Sequence, residues 1–219
     1  MAGDSIVERL TKLDTCAISD AQDKLGIKGT IIGIAPLYPT GRIAGRAVTV
    51  KLKTKGDQEV SARHLCTTAV ETAGAGDIIV VDHRGRTDVA GWGGILSTAA
   101  KMKGLAGVVI DGATRDVDEA CELGLPLFAR AAVPLTARGR IVEESTNEPI
   151  EIGGVAVKPG DYVIADNSGI VVIPADRAEE VLPEAENIAA REAAMTHDVL
   201  AGKSVMEVMG TNYEQMLSR

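Results

Sequence analysis

The chain has 219 residues, 45% apolar and 25% charged, an ordinary globular composition and enough length to bury a core without disulfides. Lysine and arginine number 23 against 31 acidic residues, a net charge of −8, which argues against nucleic-acid and anionic-membrane partners because both need a basic face. Aromatic residues make up 2%, too few for a base-stacking platform.

The chain opens MAGDSIVERL, with charges where a signal peptide needs an apolar run, and no stretch approaches the roughly 18 apolar residues of a membrane span. Cys16, Cys66 and Cys121 are odd in number and far apart, so a reducing cytoplasm is the expected location. Residues 5–25 carry Ile6, Leu10 and Leu13 at helical spacing. Asp14-Thr15 is a candidate break, Ser19-Asp20 a candidate restart, and Gly26 and Gly29 end the run. A Gly/Pro-rich connection follows through Pro39 and Gly41, then a β-branched strand over 46–54 and a helix over 58–73 with Val60, Leu65, Ala69 and Val70 inward.

GDIIVVD (76–82) has the form of a buried strand and HRGRTDVA (83–90) of a polar loop. GWGGILSTAAKMKG (91–104) turns on glycines into a helix, GVVID (107–111) is again a buried strand, 117–124 a short helix and 126–130 a third strand. This alternation predicts parallel pairing with helical crossovers. From 141 to 174 alternating runs are punctuated by Asn-Glu-Pro, Gly-Gly, Lys-Pro-Gly and Asn-Ser-Gly, the pattern of hairpin-linked strands. A helix returns over about 176–197, with Pro183 as a kink or break, and a short helix is expected after Gly202. No linker interrupts the chain, so residues 1–219 read as a single mixed α/β domain, with the C-terminal segment 176–219 available for oligomer contacts.

Ligands in parallel sheets bind beyond the carboxyl ends of strands. If 77–82 and 107–111 are neighbours, the segments after them share a crevice holding Asp82, His83, Arg84, Arg86, Asp88, the glycine-rich helix start, Asp111, Arg115 and Asp116. Gly91, Gly93 and Gly94 either admit an anion to the helix amides or merely permit a tight turn. Arg115-Asp116 also has two readings. An arginine fork beside a carboxylate that holds a hard cation suits a 2-oxo acid. Alternatively, Asp116 caps the next helix, paired with Glu119 in a capping-box arrangement. His83 is a candidate base, whereas His64 and His197 read as surface or packing residues on helices. No zinc motif and no G-x-S-x-G elbow is present.

LDTCAISDAQDKLG (13–26), GRIAGRAVTV (41–50), GDIIVVD (76–82), GWGGILSTAAKMKGLAGVVIDGATRD (91–116) and GDYVIADNSGIVVIP (160–174) resemble, in order and over nearly the whole chain, one family. It is that of the regulator of ribonuclease activity A and the class II 4-hydroxy-4-methyl-2-oxoglutarate (4-carboxy-4-hydroxy-2-oxoadipate) aldolases. Members are often labelled demethylmenaquinone methyltransferases, but no glycine-rich adenosylmethionine loop is present here.

The resemblance implies a swivelling-type α/β domain with a central β-sandwich or barrel flanked by helices, assembled as a trimer or hexamer. It implies a Mg2+- or Mn2+-dependent lyase that cleaves 4-hydroxy-2-oxo acids or decarboxylates oxaloacetate through a pyruvate enolate. Carried over, Asp116 is the metal ligand and Arg115 contacts the keto oxygen. The amides around Gly93, Gly94, Ile95 and Leu96 receive the carboxylate, and Glu192 reaches the metal's waters across a subunit interface. The aldolase pattern has an aspartate 21 positions before the arginine, where this chain has Gly94, so His83 and Asp88 are the nearest replacement proton donors in sequence. Two other readings stand beside the lyase. One is a non-catalytic regulator that docks on RNase E or another protein. The other is a same-scaffold enzyme for a sugar-acid-like substrate, with Arg84 and Arg86 holding a second carboxylate.

Overall fold

The computed structural model describes residues 4–57 and 63–210. Two helices open it, α1 (Ser5–Leu10) and α2 (Thr15–Leu25). Asp14 separates them by accepting the Ala17 amide at 2.8 Å, which satisfies one of the donors a helix start leaves open. α2 runs through Ser19-Asp20 without the expected restart and ends at Gly26, whose φ of 66° is that of a left-handed glycine cap.

The Gly/Pro-rich connection holds two short strands, β1 (Thr30–Ile31) and β2 (Ala35–Pro36). β3 (Ile43–Thr54), α3 (Thr67–Thr72), β4 (Ile78–Ala90), α4 (Gly94–Met102), β5 (Gly107–Thr114), α5 (Val117–Glu122) and β6 (Leu127–Ala132) form the parallel unit. β3, β4, β5 and β6 pair in that order, all parallel. Of the helix expected over 58–73, residues 58–62 with Val60 lie outside the described residues, and only Thr67–Thr72 is helical among the rest. His64 therefore precedes the helix instead of riding on it. The hairpin region supplies β7 (Ile141–Thr146), β8 (Ile150–Ile152), β9 (Val155–Val157), β10 (Tyr162–Asp166) and β11 (Gly169–Ile173). Two more helices follow, α6 (Ala178–Leu200) and α7 (Val205–Val208).

The large mixed sheet has the order β1-β11-β10-β3-β4-β5-β6-β2, with β7 also on β3; β8 and β9 form a separate hairpin. β1 and β2 stand at opposite ends of this order yet are joined by residues 32–34 alone. The sheet therefore curls until its ends meet. That explains the continuous apolar runs: the central strands are buried on both faces. Ile78, Val80, Val109, Phe128, Val163 and Val172 point into the curled interior. Their alternates Ile79, Val81, Val108, Ile110 and Leu127 pack outward in one cluster with residues of α3, α4 and α5, while Tyr162, Ile164, Val171 and Ile173 pack outward against α1, α2 and α6.

Two expectations are corrected. The segment 83–90 is not a loop but the second half of β4. Its register against β5 shifts between Asp82 and Arg86 and again between Arg86 and Ala90, and Arg84 (φ 56°) and Gly85 (φ 68°) make the bulge. Bulges let a polar run stay in the ladder while re-aiming its side chains. Pro183 does not break its helix. It lies inside a continuous α6, whose buried face of Val181, Leu182, Ala185 and Ile188 is held against α1 and α2, so packing outweighs the lost hydrogen bond.

Candidate active site

At the junction of β4 with α4, and of β5 with α5, the chain encloses a cavity of about 280 Å³. Gly91 donates to the Ala113 carbonyl (2.8 Å) and Arg115 to the Trp92 carbonyl (3.2 Å), tying the two junctions together. Buried Trp92 anchors the helix start through its indole N–H to Ser97 Oγ (2.9 Å). Gly93, Gly94, Ile95 and Leu96 line one wall and Arg115 and Asp116 the next. His64, Leu65 and Thr67 come from the segment before α3 and its first residue, and Thr136, Ala137 and Arg138 from the β6–β7 loop.

The glycines have a specific use here. A Cβ on Gly93 would stand 2.9 Å from Asp116 Oδ2 and 3.3 Å from Arg115 Nε, and a Cβ on Gly94 would stand 1.8 Å from Glu119 Oε2. Bare backbone at these two positions lets three charged side chains lie against the first turn of α4. Asp116 Oδ2 accepts the Gly94 amide at 2.8 Å and sits 3.2 Å from Arg115 Nε. Asp116 occupies the N-cap position of α5 in the left-handed region (φ 56°), but its carboxylate makes no hydrogen bond to its own helix. The capping-box reading is thereby corrected: the side chain reaches across to α4. With the Gly94 amide taken, the N–H groups of Ile95 and Leu96 remain as the first-turn donors without a protein acceptor among the described residues. They point where a helix start attracts an anion.

Glu119 is the residue the sequence reading missed as a site group, having weighed it only as a capping partner. It is exposed, and its carboxylate makes no hydrogen bond or ion pair with a described residue. The available signal was its spacing: three positions after Asp116 on a helix, it shares that residue's face.

The other sequence candidates lie elsewhere. His83 is buried, its Nε2 donates to the Val89 carbonyl at 2.8 Å, and its ring fills the space beside Gly91 and Gly112. Burial holds its pKa below the ordinary imidazole value. Asp88 is bound to the Arg86 guanidinium through both oxygens, at 2.9 and 2.7 Å, which holds its pKa down, and Arg86 also donates to Thr54. Arg84 pairs with Glu144 and donates to the Leu52 carbonyl. None of the four lines the Arg115 cavity.

Nor do the strand ends share one crevice. Lys51, Asp82 and Asp111 stand in register on β3, β4 and β5. They open with Arg84 and Arg130 into a separate cleft, where Asp111 pairs with Arg130 and accepts the Gly153 amide. Burial raises the Asp82 pKa. Glu192 faces a third hollow between α6 and α7 with Met195 and Val199. Burial, then Asp14 and Asp20, raise its pKa; it does not reach the Arg115 cavity of its own chain.

Magnesium is held through one or two carboxylates and keeps several waters. Asp116 and Glu119 provide two carboxylates against one helix start. Among the described residues no group of three or more potential metal ligands exists, so the donor set fits magnesium and not an all-protein cage.

The mixed α/β sheet thus brings an arginine, a carboxylate and the open amides of a helix start to one small cavity, a donor set suited to a compact anion. The family model described as "RraA-like: Aldolase/RraA" matches residues 15–172, and the chain belongs to that family. A Halalkalibacterium halodurans protein named "Putative 4-hydroxy-4-methyl-2-oxoglutarate aldolase" is 34% identical, covering 93% of this chain and 94% of its own. Protein DlpA of Legionella pneumophila subsp. pneumophila is 28% identical over 92% of this chain, which spans only 32% of DlpA's length. Among solved structures, Streptomyces coelicolor RraAS2, titled "an unusual member of the RNase ES inhibitor RraA protein family", superposes with a TM-score of 0.75 at 25% identity, covering 91% of this chain and 95% of that one. Among the described residues no helix is long and apolar enough to cross a membrane.

Proposed function

We propose that the chain is a divalent-metal-dependent lyase that cleaves or decarboxylates a 2-oxo acid through a pyruvate-type enolate. The observation that carries this reading is the placement of Arg115, Asp116 and Glu119 against the amide-bearing start of α4. Asp116 would hold magnesium or manganese, which supplies Lewis-acid polarisation of the keto group, and the Glu119 carboxylate beside it is kept for proton transfer. The Ile95 and Leu96 amides take the substrate carboxylate. Arg115 donates to the keto oxygen and meets the negative charge that grows there as the C3–C4 bond breaks, a fixed donor aimed at developing charge. In aldol cleavage Glu119 takes the proton of the 4-hydroxyl as that bond breaks and returns it to C3. In decarboxylation, carbon dioxide leaves with no proton to remove, and C3 takes its proton from solvent water by way of Glu119. The carboxylate of Glu192 enters from a neighbouring copy in a cytoplasmic homo-oligomer, a trimer or hexamer.

The test is pyruvate release from oxaloacetate and 4-hydroxy-2-oxo acids, with and without a chelator. Metal-dependent release is expected. No release from any of them, with metal present, overturns the reading. A second reading, a regulator that docks on a ribonuclease, is favoured by the likeness to RraAS2. It predicts binding to the ribonuclease that survives Asp116→Ala.

A further inference from the structure

The inner face of the curled sheet is apolar until its strands approach the β4 bulge, where it turns charged. Asp82, Asp111 and Arg130 stand two positions after Val80, Val109 and Phe128 and so share their inward face. Lys51 continues the row on β3, in register with Asp82. With Arg84, Glu151 and the Gly153-Gly154 turn they line a cleft of about 540 Å³ that shares no residue with the Arg115 cavity.

A charged layer at the mouth of a core ordinarily closes into ion pairs, and half of this one does. Asp111 is spent, one oxygen on Arg130 and the other on the Gly153 amide at 2.9 Å. Arg84 is held by Glu144 and the Leu52 carbonyl. The other half stays open. Lys51 neighbours Asp82 in register, yet makes no hydrogen bond or ion pair with a described residue. Asp82 is only 6% exposed. Its Oδ1 accepts the Arg84 amide at 2.9 Å, and its Oδ2 accepts nothing from a described residue. Burial raises its pKa in spite of that bond and of the Lys51 and Arg84 charges, as for a carboxylate short of donors. Glu151 is exposed and equally unengaged.

These unspent groups select a ligand. Lys51 offers donors and positive charge, which suit a carboxylate, whereas Asp82 and Glu151 as carboxylates only accept. A bare oxyanion would give those two nothing and be repelled by both. An ammonium would donate to them but meets the charges of Lys51, Arg84 and Arg130 in the same cleft. A hydroxyl donates without carrying charge. We propose that this cleft is a second binding site, for a polyhydroxy carboxylate of the sugar-acid type, with its carboxylate on Lys51 and its hydroxyls on Asp82 and Glu151. The volume of about 540 Å³ corresponds to roughly 18 waters at ~30 Å³ each, room for a chain of several hydroxylated carbons. The site stands whether or not the Arg115 cavity is that of a lyase.

The experiment is calorimetric titration of the metal-free protein with three probes: D-gluconate, D-sorbitol, which has the hydroxyls without the carboxylate, and hexanoate, which has the carboxylate without the hydroxyls. The wild type, Lys51→Met, Asp82→Asn and Asp116→Ala are compared, with melting curves to verify each fold. Gluconate is expected to bind, and the other two probes at least roughly 10-fold more weakly. Lys51→Met is expected to weaken gluconate by roughly 10- to 100-fold. Asp82→Asn, which keeps an acceptor for the Arg84 amide but turns a donor to the cleft, is expected to weaken it as well; should that variant fail to fold, Lys51→Met carries the test. Asp116→Ala is expected to bind gluconate as the wild type does. Absence of gluconate binding, equal affinity for sorbitol or hexanoate, or binding that survives Lys51→Met overturns the proposal. Binding lost in Asp116→Ala and kept in Lys51→Met overturns it too, by placing the ligand in the Arg115 cavity.

Discussion

The carboxylate of Glu119 occupies the space that a side chain on Gly94 would enter: a Cβ built on Gly94 falls 1.8 Å from Glu119 Oε2, 2.9 Å from Glu119 Cδ and 3.2 Å from Asp116 Cβ. The chain lacks an aspartate at position 94, but it does not lack a carboxylate there. Helix α5 delivers one, three positions after Asp116, the residue proposed to hold the cation. His83 and Asp88 are near Gly94 in sequence alone, whereas Glu119 is the carboxylate that stands against Gly94 in space.

Asp116→Ala is expected to abolish metal-dependent turnover with little change in stability. Its carboxylate accepts the Gly94 amide at the start of α4 and makes no bond to its own helix, so the stability loss is expected to stay near the ~1 kcal/mol typical of a lost aspartate cap. Pyruvate release and urea denaturation, run on the same preparation, check both halves. A large stability loss with turnover intact would reverse the assignment.

Arg115→Lys is expected to lower kcat by roughly 100-fold or more, as for a removed oxyanion donor. Lysine keeps the charge, but its compact ammonium cannot reproduce the planar fork that places Nε 3.2 Å from Asp116 and leaves the terminal N–H groups for the keto oxygen. Steady-state kinetics on oxaloacetate decide it. A change of only a few-fold would place Arg115 outside the chemistry.

The sequence made the parallel unit legible because its strands are buried on both faces and their helices carry clear starts and stops. Arg115, Asp116 and the glycines were legible too, since they sit at strand-to-helix junctions, where parallel sheets place ligands. Other features needed the third dimension. Segment 83–90 is polar because Arg84, Arg86 and Asp88 leave the bulged half of β4 for the surface or another cleft, and polarity alone does not separate such a strand from a loop. His64 and Arg138 come from segments remote in sequence from Arg115 and enter the cavity only through packing. Glu119 was visible but ambiguous, because the spacing of a capping pair is also the spacing of two residues sharing a helix face.

Stability is expected to fall as the pH drops below about 6.5, through the imidazoles of His83 and His64. Burial lowers both folded-state pKa values, outweighing the Val89 hydrogen bond at His83 and reinforced by Arg138 and Arg115 at His64. Between the folded and unfolded values the unfolded chain binds more protons, so stability is fully present above the unfolded value and is lost as the pH falls toward the folded ones. Urea denaturation across this window should show the slope, and His83→Gln should reduce it. An unchanged slope in that variant would mean His83 titrates alike in both states.

The relationship between Gly94 and Glu119 makes a double-variant prediction. Glu119→Ala alone should reduce turnover by roughly 100-fold, the lower range for a lost general acid–base group, because it empties the space over Gly94. Gly94→Asp alone should not improve the enzyme. Its backbone position is favourable, since an acidic residue in the first turn of a helix adds about 0.3–1 kcal/mol. Its side chain, however, displaces the Glu119 carboxylate and crowds a third negative charge against Asp116. Combining Gly94→Asp with Glu119→Ala removes the collision and leaves one carboxylate where one stood before, now delivered by α4. The pair should therefore recover most of the activity that either single variant loses, with a coupling that only contacting residues show. Pyruvate release by the four proteins, wild type included, closes the cycle. Additive losses in the double variant would mean that the two carboxylates do not share one role, and an inert Glu119→Ala would remove Glu119 from the mechanism.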